Sequence, residues 1–150
     1  MSVGSLCARK VVTVRRNDDL QFAGRLMREK HIGYLIVVDT LPREINAPVG
    51  VLTDRDIVVA VVAQDVNPRN LTVGEVMTAK PLVVEETLAI NAALAKMRER
   101  GVRRAPVVGA DGGLVGVISM DDVLEQLADQ LANVAGVIRN EQSIERVQRT

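Results

Sequence analysis

One segment of this chain occurs twice. Val49-Gly50-Val51-Leu52-Thr53-Asp54-Arg55-Asp56 returns as Val115-Gly116-Val117-Ile118-Ser119-Met120-Asp121-Asp122. A displacement of 70 positions lays Lys10 on Lys80, Val14 on Val84, Ala23 on Ala93, Met27-Arg28-Glu29 on Met97-Arg98-Glu99 and Val37-Val38 on Val107-Val108. Beyond the segment Thr40 to Pro48 the displacement falls to 66, so the first copy holds four extra residues there. A repeat constrains the fold more than any single residue does, because one supersecondary unit must be built twice. The 150 residues are therefore read as two modules of roughly 60 residues, each marginal alone by surface-to-volume scaling and expected to fold as one packed pair.

Within the second copy Ile90, Ala93, Leu94 and Met97 recur at helical spacing, with Thr87 expected as N-cap and Gly101 as the stop. The first copy repeats the pattern with Leu20, Ala23 and Met27 behind Asn17. Each helix runs into an apolar stretch of strand length, Leu35 to Val38 or Ala105 to Val108. A turn at Asp111-Gly112-Gly113, or the longer loop from Thr40 to Pro48, leads to second strands at Val49 to Leu52 and Val115 to Ile118. Ile57 to Ala63 is so rich in valine that propensity alone reads it as a strand. Its counterpart, Val123 to Leu131, is amphipathic at helical spacing, so equivalence makes both segments helices, and a helix apolar all round must be covered all round. The expected order is β-α-β-β-α twice, an α+β protein with pseudo-twofold symmetry. The repeats are placed at 6–66 and 71–131, with Asp65 to Asn70 as linker and 132–150 as a helical or frayed tail.

Composition narrows the function. Hydrophobic residues are 47 % of the chain but aromatics only 1 %, so the core must be Val, Leu, Ile, Ala and Met, and base stacking has almost nothing to use. Nineteen basic residues balance 19 acidic ones, which argues against the broad basic footprint of a nucleic-acid binder. The lone cysteine, Cys7, excludes an internal disulfide framework and is read as a small apolar packing residue. His31 is the lone histidine, so one chain cannot assemble a histidine-cysteine metal cluster or a serine-histidine-acid triad. Met27 and Met97 are read as core, and Gly109, Gly112 and Gly113 as a hairpin turn. With no signal-peptide pattern and no apolar run of membrane-spanning length, the expected location is the cytoplasm.

The repeated motif is a glycine, two hydrophobic residues, Thr or Ser, then Asp three positions later, at a strand-to-helix junction. A helix start offers unpaired N–H groups and a positive dipole end to a phosphate, and the hydroxyl can add a bond. Asp56 and Asp122 would repel phosphate but can accept hydrogen bonds from two ribose hydroxyls. Thr53-x-x-Asp56 and Ser119-x-x-Asp122 also fit a capping box, with Asp in place of Glu.

This motif, twice in register over about residues 6 to 131, resembles the cystathionine β-synthase (CBS) domain, of which two in tandem form a CBS pair or Bateman module. Val76-Met77-Thr78-x-x-Pro81 before the second copy is similar to the family's lead-in, where the first copy has Cys7-Ala8. The resemblance implies that each cleft is completed by the other repeat. One cleft would then combine Thr53, Arg55 and Asp56 with Lys80, Leu82, Val102, Arg103 and Arg104. The second would combine Ser119 and Asp122 with Val12, Ile32, Gly33 and Tyr34, and without an arginine. Because arginines can grip phosphate oxygens bidentately, the first cleft is favoured for an anionic nucleotide; an ordinary exposed pair is the plainer reading of Arg103 and Arg104.

The resemblance implies a stand-alone regulator or sensor rather than an enzyme, with no catalytic cofactor, taking AMP or ATP as ligand and signalling to an unknown effector protein. Other readings are an interaction module with vestigial clefts, a binder of NAD or S-adenosyl compounds, a nucleic-acid-binding protein and a nucleotide hydrolase. The last two are disfavoured, one by charge and composition, the other because no general base is evident beyond the ribose-facing acids. The apolar faces of Ile57–Ala63 and Val123–Leu131 exceed what a small module can bury, which implies a homodimer through these helices, head-to-head or head-to-tail.

Overall fold

The computed structural model describes residues 1–149; the last residue of the expected tail lies outside them. The first repeat runs β1 (Thr13–Val14), α2 (Leu20–Lys30), β2 (Tyr34–Leu41), β3 (Ile45–Thr53) and α3 (Asp54–Ile57), and a short helix α1 (Val3–Leu6) precedes it. The second runs β5 (Val84–Glu85), α5 (Ile90–Arg100), β6 (Arg104–Val108), β7 (Leu114–Ser119) and α6 (Met120–Gln148), preceded by α4 (Val73–Val76) and β4 (Thr78–Ala79). The expected β-α-β-β-α order thus occurs twice. Met1–Ile118 is one compact unit, and a second begins at Ser119. No helix of the described residues is long and apolar enough to cross a membrane.

In each repeat the first strand lies parallel to the second, Thr13 beside Ile36 and Val84 beside Val107. β3 returns antiparallel to β2, with Leu35 paired to Leu52. The four extra residues of the first copy do not form an irregular loop. They lengthen the hairpin, which continues to Leu41–Ile45 around a single 3-10 turn at Pro42–Glu44, and a bulge at Val37/Val38 lets Pro48 sit in the strand without having to donate a ladder bond. The second copy turns at Gly112, whose φ of 80° is open to glycine.

The sheets are completed by exchange. β4, the lead-in to the second repeat, adds to the first sheet to give the order β1-β2-β3-β4, with Val51 paired to Thr78. Symmetrically, Ala8 bridges to Val117 of the second repeat. The helices follow suit. Val73 N–H donates to the Asp18 carbonyl and Gly74 N–H to that of Arg16, while Val3 N–H donates to Leu88 and Gly4 N–H to Glu86. Val73 is fully buried in the first repeat's core among Val14, Leu20, Ala23, Met27, Leu35, Val37 and Leu52. Val84, Ala93, Met97, Ala105, Val107 and Ile118 are buried in the second repeat.

Two expected caps move. Asp19, not Asn17, caps α2 by accepting from Phe22 N–H, and Ala89 stands where Thr87 was expected, with no side-chain bond. Both helices begin at the first residue of their apolar spacing, Leu20 and Ile90, but later than caps at Asn17 and Thr87 would place them, because turn residues intervene; before α2, Asp18 accepts from Arg15 N–H. Gly101 ends α5 in the left-handed conformation, as expected, and His31 does the same for α2 at φ 55°. The valine-rich segment after α3 is helical, as the repeat implied, but with π-type bonding over Val58–Val62. Ile57, Ala60 and Val61 pack on the first core, whereas Val58, Val59 and Val62 are exposed.

Candidate functional site

A cleft of about 370 Å³ opens in the Met1–Ile118 unit between the first sheet and the segment joining α5 to β6. Its walls are apolar: Val51 from β3, Pro81 and Leu82 from the segment between β4 and β5, and Val102. Thr53 and Thr78 bring hydroxyls, and Arg100, Arg103 and Arg104 bring three guanidinium groups. An apolar pocket with a few polar groups converging on it is the form of a small-ligand site. Of the residues expected there, Thr53, Leu82, Val102, Arg103 and Arg104 line the cleft. Arg55, Asp56 and Lys80 are not among its lining residues. Lys80 instead turns the chain at φ 51° and offers its carbonyl to Arg100 Nη2 at 3.1 Å.

The helix start behind the cleft is saturated from within. Asp54 N–H donates to the Gly33 carbonyl at 3.0 Å, Arg55 N–H to Asp54 Oδ1 at 2.8 Å and Asp56 N–H to Thr53 Oγ1 at 3.1 Å. Thr53 N–H in turn donates to Asp56 Oδ2 at 2.9 Å, which completes a capping box. The expectation that this helix start offers unpaired N–H groups to a phosphate is corrected: the Gly33 carbonyl, the Asp54 carboxylate and the Thr53 hydroxyl occupy those of Asp54, Arg55 and Asp56. Positive charge in the cleft comes from arginine side chains. At the second motif Asp122 N–H donates to Ser119 Oγ at 3.2 Å, and Ser119 Oγ lies 2.7 Å from Asp122 Oδ2.

A second cleft, about 300 Å³, is lined by Val12, Ile32 and Gly33 as expected, together with Lys10, Val11, His31 and Val117. Tyr34 and Arg104 line both clefts. The second cleft is therefore not without an arginine, because Arg104 reaches the wall that the two share. Its guanidinium carbon stands 5.6 Å from the centre of the Tyr34 ring, a cation–π contact. The Tyr34 hydroxyl is buried without a hydrogen-bond partner. Burial pushes the phenol well above its ordinary ionisation range, against the pull of the nearby Arg104 charge.

Sequence reasoning missed Thr78, Arg100 and the sharing of Tyr34. Thr78 and Arg100 could have been found by asking which residues flank the exchanged lead-in and the end of α5; Tyr34's double role carries no sequence signal. Among the described residues no group of three or more His, Cys, Asp or Glu could hold a metal ion.

The family model for the CBS domain matches residues 3–63 and again residues 73–129. An uncharacterised protein from Methanopyrus kandleri is 34 % identical over 125 residues, which is 83 % of this chain but 62 % of that relative's length. Hypoxic response protein 1 of Mycobacterium tuberculosis is 33 % identical over 119 residues, covering 79 % of this chain and 80 % of that one. The crystal structure of Hypoxic Response Protein I, which holds two coordinated zinc ions, matches with a TM-score of 0.71 at 29 % identity, over 84 % of this chain and 98 % of that one. The structure of a protein with CBS domains from Burkholderia ambifaria matches with a TM-score of 0.68 at 37 % identity, over 81 % and 86 % of the two chains.

Proposed function

The chain belongs to the CBS-domain family, and from that premise we propose that it is a regulatory CBS pair, not an enzyme, that binds an adenine nucleotide and signals to a partner protein. The observation that carries the reading is the placing of Arg100, Arg103 and Arg104 around one apolar cleft with the hydroxyls of Thr53 and Thr78. Apolar walls suit a base, and arginines suit phosphate oxygens. Asp56 belongs to this reading as the ribose acceptor, a role it would combine with its capping bond. A ligand held by both the first sheet and the α5–β6 segment favours the arrangement in which both walls are near, and a partner that distinguishes arrangements feels that shift. The molecule acts as a homodimer in the cytoplasm, its exposed Val58, Val59 and Val62 and the Val123–Leu131 face covered by a second copy.

Calorimetry with AMP tests the ligand. Replacing Arg103 and Arg104 with Ala removes charge-assisted bonds of about 1.5–3 kcal/mol each, so affinity should fall at least about tenfold. Lys10→Ala in the second cleft is the control and should change little; Tyr34 cannot serve, because it lines both clefts. Asp56→Asn keeps a capping oxygen but should weaken AMP, and a 2′,3′-dideoxy analogue should bind wild type less well than AMP. Adenosine binding as tightly as AMP would remove the arginines' role. A second reading, an interaction module with vestigial clefts, is favoured by the capping box that already engages Thr53 and Asp56. It becomes the better one if AMP, ATP, NAD and S-adenosylmethionine all fail to bind at millimolar concentration.

A further inference from the structure

Tyr34 and Arg104 occupy the same position in the two repeats: they stand 70 residues apart, the displacement that aligns the copies, and each opens its strand, β2 or β6. In a pair with pseudo-twofold symmetry, a residue that meets its own counterpart stands at the axis and borders both symmetry-related clefts. These two do so. The Arg104 guanidinium carbon is 5.6 Å from the centre of the Tyr34 ring, and both residues line both clefts. The symmetry is broken in their chemistry, because one copy supplies a phenol and the other a cation. Two clefts thus share one axial positive charge. Their other cations are private: Arg100 and Arg103 line the first cleft alone, Lys10 and His31 the second alone. Gly33, the counterpart of Arg103, brings the second cleft no charge. A Cβ on Gly33 would stand 2.5 Å from Asp54 Oδ2, so a carboxylate lies against that wall. The second cleft therefore depends on Arg104 more than the first does.

We propose that anionic ligands in the two clefts exclude one another through Arg104. A guanidinium that grips one phosphate with two parallel N–H bonds commits its fork to that phosphate, and Tyr34, its counterpart, has no charge to offer the other cleft. The first cleft fills first, because it keeps two arginines of its own. The second is then left with Lys10 and His31 set against Asp54. Coupling between sites is reciprocal, so an anion in the second cleft weakens one in the first by the same factor. A ligand without phosphate makes no claim on Arg104, and a charged nucleotide in one cleft leaves the other to an uncharged nucleoside. The inference rests on the nucleotide reading and adds to it a rule for joint occupancy.

Equilibrium dialysis of the full chain against AMP, counting ligand per chain, tests it. Val51→Trp fills the first cleft and leaves the second, and Leu82→Trp fills the same cleft should the first variant not fold. The one AMP of the filled variant should bind about tenfold or more tighter than the second AMP of wild type, the effect of one charge-assisted bond. A wild type that takes a single AMP is the limit of the same effect, provided the filled variant also takes one. Arg104→Gln should weaken AMP in both clefts and abolish the difference, and adenosine should show none in the chain with Arg104 intact. Equal affinities in wild type and the filled variant would overturn the exclusion. A second AMP held more tightly in wild type would mean that Arg104 bridges two phosphates, and a difference surviving Arg104→Gln would place the coupling elsewhere; either overturns it. So does a filled variant that binds no AMP beside a wild type that binds one. AMP bound by neither overturns the nucleotide reading, and this inference with it.

Discussion

Tyr34 joins two clefts and leaves its hydroxyl without a hydrogen bond, an omission that costs about 1–3 kcal/mol for a buried polar group. Its phenol therefore reports on the site. Burial raises the folded-state ionisation above the unfolded value near 10. The folded chain keeps a proton that the unfolded chain loses, so this group's contribution to stability is whole below about pH 10 and declines as pH rises beyond it. As the chain has one tyrosine and no tryptophan, absorbance at 295 nm follows Tyr34 alone. Phenolate should appear well above pH 10, together with unfolding. Tyr34→Phe should remove that step and raise stability at neutral pH by about 1 kcal/mol. A reversible titration near 10 in the folded protein would mean that the hydroxyl is solvated.

At the scale of elements, the repeated glycine has a packing cause. A Cβ on Gly116 would stand 2.6 Å from the Ala8 carbonyl oxygen and 2.9 Å from Cys7 Sγ, in the strand where Ala8 bridges to Val117. At Gly50 the nearest obstacle is the mobile sulfur of Met77, and the Thr78 carbonyl is 3.2 Å away. Backbone gives way less readily than a methionine tip, so Gly116→Ala should cost about 1–3 kcal/mol in chemical denaturation and Gly50→Ala clearly less. Equal losses would show that both glycines meet the same constraint. The repeat made most elements legible, including the helix through Ile57–Ala63 that valine propensity opposed, because Val123–Leu131 showed the period that its partner hides. The N-caps of α2 and α5 were not legible: Asn17, Asp18 and Asp19 all suit a helix start, and only the turn with Arg15 chooses among them. In the candidate site, Arg103 and Arg104 were legible through the family's pairing of motif and cleft. Arg100 and Thr78 were not, because their places depend on how α5 ends and on the exchanged β4.

For the whole molecule, that exchange sets how the two repeats fold. Val73 belongs by sequence to the second copy yet is fully buried in the core of the first, while Val3 is fully buried with its N–H bonded to Leu88 of the second. The first sheet is finished by β4 from the second repeat's lead-in, and the second sheet takes a single bridge, Ala8 to Val117, from the first repeat's lead-in. Opening either core therefore removes backbone hydrogen bonds and a buried valine from the other, which couples their free energies as neighbouring repeats are coupled through an interface. Thermal unfolding of the Met1–Ile118 unit should accordingly be a single transition. Val73→Ala deletes buried methyl groups at a loss of about 2 kcal/mol, which for a chain of this size lowers Tm by roughly 4–8 °C. The decisive outcome is the form of the change. If the repeats were independent, Val73→Ala would split the calorimetric peak, moving the first repeat's share and leaving the second's in place. If the exchange couples them, the whole peak moves down as one, and Val3→Ala, the symmetry-related change, moves it in the same way.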